Sequence, residues 1–74
     1  MTKLPRDVSG AEAVRVLEKV GFVWHNQEGS HVVLRRAAPP GRVTVPMHRT
    51  LGVGILRAII RQAGMSIEEF VKLL

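Results

Sequence analysis

Three side chains in this sequence, His25, His31 and His48, change charge near neutral pH without help from their surroundings. Cysteine and tyrosine are absent, which excludes disulfides and thiolate metal sites. The histidines lack HxH or HExxH spacing, so no metal site is expected, and no other cofactor. His31 stands out by its neighbours. Gly29-Ser30-His31 runs straight into Val32-Val33-Leu34-Arg35-Arg36, a turn that releases an apolar strand beginning with a hydroxyl and an imidazole and ending in two guanidiniums. Cleaving an RNA phosphodiester without metal needs a base for the 2′-hydroxyl proton or an acid for the leaving oxygen. It also needs cations for the charge that grows on phosphorus. An imidazole at the rim of an arginine-rich strand supplies both. His31 is therefore the candidate general acid or base. Arg35, Arg36, Arg42 and Arg49 are the candidate phosphate ligands, with Ser30 and His48 beside them.

Charge distribution supports a polyanionic ligand. The formal net charge is +5, and no carboxylate lies between Gly29 and Ile67, a stretch that holds six arginines (Arg35, Arg36, Arg42, Arg49, Arg57 and Arg61). A one-signed block of this kind attracts nucleic acid. The acidic residues sit on the first helix, in the hairpin or on the last helix, against the pattern of a two-carboxylate hydrolase. Two other classes share the charge block: a non-catalytic RNA-binding module with a basic face, and a protein-interaction domain that meets an acidic partner. The module gives His31 no special role, while the interaction domain does not exclude a catalytic His31. His25 shares a face with Val23 and Val32 in the expected hairpin and is read as partly buried. Trp24 is read as sheet packing rather than a platform for a base.

The elements that must position these residues follow from periodicity and punctuation. Ser9-Gly10-Ala11-Glu12 fits a capping box. Ala13, Val16, Leu17 and Val20 then form one apolar stripe closed by Gly21, which predicts a helix over Gly10–Val20. Phe22–Gln27 and Ser30–Arg36 read as strands joined by a tight turn at Glu28-Gly29. In that register Asn26 faces His31 and Trp24 faces Val33. His31, Trp24, Val33 and Arg35 then share one face, with Val23, Val32 and Leu34 on the other. Ala37-Ala38-Pro39-Pro40-Gly41 is a loop, and Arg42–Val45 a third strand stopped by Pro46. Leu56, Ile59, Ile60 and Ala63 make a second helical stripe ended by Gly64. Ser66-Ile67-Glu68-Glu69 repeats the capping box before a last helix with Ile67, Phe70, Val71 and Leu74, and Met65 and Phe70 are spaced as a hydrophobic staple.

The expected order is α-β-β-β-α-α, an α+β two-layer sandwich with helices on one face of a three-stranded antiparallel sheet. At 74 residues the chain makes one domain, residues 1–74, burying roughly 60% of its unfolded surface around one modest core. No apolar run approaches the ~18 residues of a membrane span, and the N-terminal residues lack a signal-peptide stretch, so no membrane association and a cytoplasmic location are expected.

An ordered set of segments also resembles the HicA toxins. These are Leu4-Pro5, Gly21-Phe22, Gly29-Ser30-His31 after a hairpin, and Val45-Pro46-Met47-His48. Gly54-Ile55-Leu56-Arg57-Ala58-Ile59 follows, leading into Gln62-Ala63-Gly64-Met65-Ser66. The similarity spans nearly the whole chain. It implies a double-stranded-RNA-binding-domain-like fold, mRNA interferase activity with the Gly-Ser-His histidine, here His31, as the catalytic one, and a HicB antitoxin partner. A monomeric free toxin is favoured. Two positions depart from many relatives: Asn26 or Glu28 stands where a basic residue is common in the hairpin, and Ile55 where a Thr is common.

Overall fold

Both capping boxes form. The Ser9 hydroxyl accepts from the Glu12 backbone N–H at 3.1 Å while the Glu12 carboxylate accepts from the Ser9 N–H at 3.0 Å. Ser66 and Glu69 repeat the exchange at 3.1 Å in each direction. The computed structural model describes residues 3–74. Met1 and Thr2, included in the expected domain, lie outside the described residues. The elements are α1 (Gly10–Lys19), β1 (Val23–Glu28), β2 (His31–Arg36), β3 (Gly41–Pro46), α2 (Val53–Ala63) and α3 (Ile67–Leu73). This is the expected α-β-β-β-α-α order. Gly21 follows α1 with φ 98° and Gly64 follows α2 with φ 70°, the left-handed backbone that ends a helix where no Cβ interferes.

β2 is the central strand of one antiparallel sheet, ordered β1-β2-β3. Alternation along β2 and β3 turns Val32, Leu34, Val43 and Val45 to one face, where all four are fully buried. Ala13, Val16 and Leu17 of α1, Leu56, Ile59 and Ile60 of α2 and Phe70 of α3 join them in this core, with Phe22 and Leu51 from the connections. Each Val, Leu, Ile or Phe among them contributes about 1.5–3 kcal/mol on burial. Met65 and Ile67 pack at its edge. The helices cover one face only, giving an α+β slab whose Cα extents are 31 × 27 × 16 Å. β1, an edge strand, is exposed along its whole length.

The hairpin differs from the expected register. Its two turn residues are Gly29 and Ser30, not Glu28 and Gly29, so Glu28 pairs with His31 and Asn26 with Val33. The reason is backbone geometry. Gly29 has φ +57° and, among the described residues, no non-glycine has positive φ, which places glycine at the first central position of a II′-type turn. A turn centred on Glu28-Gly29 would instead require a left-handed glutamate. Farther along, β1 slips by one residue between Trp24 and Asn26, so that Trp24 pairs with Leu34 and Val23 with Arg35. The bulge at His25 exchanges the expected faces of Val23 and Trp24. His25 itself is exposed, not partly buried, because it is the unpaired bulge residue of an edge strand. β3 also runs one residue further at each end than Arg42–Val45. Pro46 pairs with His31, a place proline can take because β3 is an edge strand with one side free of ladder bonds.

Candidate active site

His31 opens β2 on the face turned away from the helices. The same face carries Val33 and Arg35 along β2, Thr44 and Arg42 opposite them on β3, and Asn26 and Glu28 on β1. Val33 is only 7% exposed although it lies outside the helix-covered core, so a packed valine separates the exposed imidazole from the exposed guanidiniums. Four residues of strand place His31 and Arg35 about 13 Å apart. Arg35 and Arg42 stand directly opposite each other. Like charges in that arrangement repel, and an anion lying across them removes the cost.

The end that holds His31 is fastened by backbone contacts. The Ser30 carbonyl accepts from the Met47 N–H at 2.6 Å, and the His48 carbonyl accepts from the Gly10 N–H at 2.9 Å. The Leu51 N–H donates to the Val8 carbonyl at 2.7 Å. Pro46-Met47-His48 is thereby clamped between the hairpin mouth and the start of α1. Gly10 makes the clamp possible. A Cβ there would collide with the Pro46 carbonyl oxygen and come within 2.8 Å of the Met47 Cα. The exposed His48 and Arg49 sit on this connection, so the fold brings Ser30, His31 and the His48 segment to one end of the open face. Arg35 and Arg42 occupy the other end.

Arg36 stands apart from the other expected phosphate ligands, among which its position in sequence puts it. Alternation turns it to the helix side, where Nε donates to the Pro39 carbonyl at 2.9 Å, Nη1 to Val20 at 3.1 Å and Nη2 to Ala63 at 3.2 Å. Its guanidinium carbon lies 4.3 Å from the centre of the Phe22 ring, a cation–π distance. The group is committed to the scaffold. Arg57 and Arg61 are also remote from His31, lining a shallow groove with Ile60, Met65 and Ile67. The arginine block of the sequence therefore divides among several surfaces.

Glu28 is the residue that sequence reasoning missed. Directly across from His31, it is the carboxylate nearest the imidazole in the sheet register. The preference of glycine for the first position of a II′ turn was the signal that could have found it. Near α1, the Ser9 backbone N–H holds the Glu12 carboxyl below its ordinary value of 4.5, with smaller lowering from the Ser9 side chain and Arg15. Among the described residues no three His, Asp or Glu side chains gather into a group that could hold a metal. No helix there is long and apolar enough to cross a membrane.

Comparison with known proteins gives one family. No match was found among curated proteins. The family model described as the HicA toxin of bacterial toxin-antitoxin matches residues 10–65, a stretch that runs from the clamped glycine of α1 through the Gly-Ser-His turn to the end of α2. With three quarters of its length under that match, the chain belongs to the HicA toxin family of bacterial toxin–antitoxin systems.

Proposed function

We propose that this toxin is an mRNA interferase, a metal-independent endoribonuclease in which His31 moves a proton at the scissile phosphodiester. The single observation behind the proposal is that one rigid central strand presents an exposed imidazole and an exposed guanidinium on the same open face, His31 and Arg35. Arg35 and Arg42 bind phosphates of the flanking nucleotides, while Ser30, His48 and Arg49 line the end where cleavage occurs. Arg36 has no part in RNA binding, being spent on three carbonyls. RNA crossing an open sheet face is gripped through phosphates more than through base edges. In the cytoplasm, a HicB-type antitoxin blocks the toxin by covering the face that holds His31. The free toxin acts as a monomer, without cofactor.

The juxtaposed Arg35 and Arg42 favour one other reading, a basic module that binds RNA without cutting it. A cleavage assay separates the two. Purified toxin is incubated with mRNA in chelator, beside His31→Ala. Cleavage by the parent and none by a folded variant is expected. Equal cleavage by both removes His31 from the reaction, and salt-dependent binding with no products from either leaves the module.

A further inference from the structure

We propose that Glu28 is the second proton-transfer group of the active site, acting as general base while His31 acts as general acid; this rests on the ribonuclease reading above. The pairing places the two residues directly opposite each other across β1 and β2, so their side chains rise from one face of the sheet with Cβ atoms about 5 Å apart. Two side chains so placed can straddle a phosphodiester lying along the hairpin mouth. Both are exposed to such a ligand. Their separation is set by rigid backbone rather than by a loose loop. The turn between them is two residues long with Gly29 held at φ +57°, and the Ser30 carbonyl is tied to Met47.

A carboxylate on a face meant for phosphates costs affinity by repulsion. Among the paired positions of the open face, Glu28 supplies the one carboxylate, set against the imidazole and away from the Arg35–Arg42 pair. A charge that merely weakened binding would do so anywhere on the face. Beside His31 it meets a chemical need, because transesterification of RNA takes one proton and gives another.

The Glu28 carboxylate takes the proton of the 2′-hydroxyl as the 2′-oxygen attacks phosphorus. The bond from phosphorus to the 5′-oxygen breaks, and that oxygen receives a proton from the His31 imidazolium. The products are a 2′,3′-cyclic phosphate and a 5′-hydroxyl. Glu28 ends protonated and His31 neutral, and exchange with water restores both. No metal, oxidant or co-reactant enters the balance.

The test compares the parent, Glu28→Gln, Glu28→Asp and His31→Ala for rate of cleavage of one RNA across the pH range, with product ends identified. Binding is measured separately by titrating RNA into His31→Ala and into His31→Ala with Glu28→Gln. His48 and Arg49, which sit at this end, and Asp7, next to the Val8 that bonds the same connection, are present in every protein compared. Glu28→Gln should lose about 10²–10⁴-fold in kcat and the acid-side rise of the pH profile. Glu28→Asp should recover part of the rate, and binding should be unchanged or tighter without the carboxylate. A Glu28→Gln enzyme with the parent's rate and profile, beside an inactive His31→Ala, overturns the role of Glu28 and leaves the ribonuclease reading standing. A faster Glu28→Gln enzyme overturns it as well, since the carboxylate would then only repel RNA. A parent protein that cuts no RNA overturns both.

Discussion

Arg36 donates from Nη2 to the Ala63 carbonyl at 3.2 Å, a bond across 27 positions of sequence that ties the end of the central strand to the end of α2. The same guanidinium holds Val20, the C-cap of α1, and Pro39 of the loop before β3. Carbonyls at helix C-termini lack intrahelical partners and carry partial negative charge, so one cation serves two helix ends. Arg36→Met should destabilise the fold by about 2–4 kcal/mol in urea unfolding. Arg36→Lys should recover less than half of this, because an ammonium on a flexible stem cannot span three fixed acceptors. RNA affinity of the folded variant should equal that of the parent.

Arg35 and Arg42 should show the opposite behaviour. They face each other on the open side of the sheet and touch RNA phosphates in the proposed complex. Replacing both by glutamine should leave stability unchanged or slightly higher, since like charges opposite each other repel. The slope of log affinity against log salt should fall in magnitude by about 1.4 for a single strand. Titrations at several salt concentrations, read beside an unfolding curve, check both halves.

Gly10 should resist replacement although it begins a helix. Its Cβ position is filled by the Pro46-Met47 backbone, and the backbone on neither side can yield without loosening the His48 segment. Gly10→Ala should therefore cost about 1–3 kcal/mol despite alanine's higher helix propensity. Thermal or urea unfolding measures the loss, and cleavage by the folded fraction should fall with it as the hairpin mouth loses its clamp.

Acid should loosen the start of α1. The Glu12 carboxyl is held below its ordinary value of 4.5 chiefly by the Ser9 backbone N–H. A depressed carboxyl contributes stability that is present above its unfolded value and is lost as pH falls through the lower, folded value. Stability should thus decline as pH drops below about 4.5. In Glu12→Gln that decline should be shallower. Unfolding curves collected from neutral pH down to the acid range provide the check.

Local chemistry made much of this molecule legible from its residues. Ser9 with Glu12, and Ser66 with Glu69, mark helix starts because a hydroxyl and a carboxylate satisfy the orphan N–H groups of their own first turn. Val16 with Leu17, and Ile59 with Ile60, mark buried faces because a period of 3.6 residues must turn toward something apolar. The alternation of Arg42-Val43-Thr44-Val45 marks a strand for the matching reason. His31 at the rim beside a turn needed only the glycine before it.

What the residues left open was pairing across the sheet and the fate of each arginine. A strand's register depends on which two residues occupy the turn, and moving the turn from Glu28-Gly29 to Gly29-Ser30 carried Glu28 to the side of His31. The bulge at His25 then turned Trp24 and Val23 over. Arg35 and Arg36 are neighbours of one type, and a strand sends neighbours to opposite faces. Which of them met solvent and which met carbonyls depended on where α1 and α2 packed. From local patterns the sequence determined the elements, their order and the histidine to examine first. The folded chain alone decided which charged groups share a face, because contacts between residues distant in sequence arise only when the sheet and helices assemble.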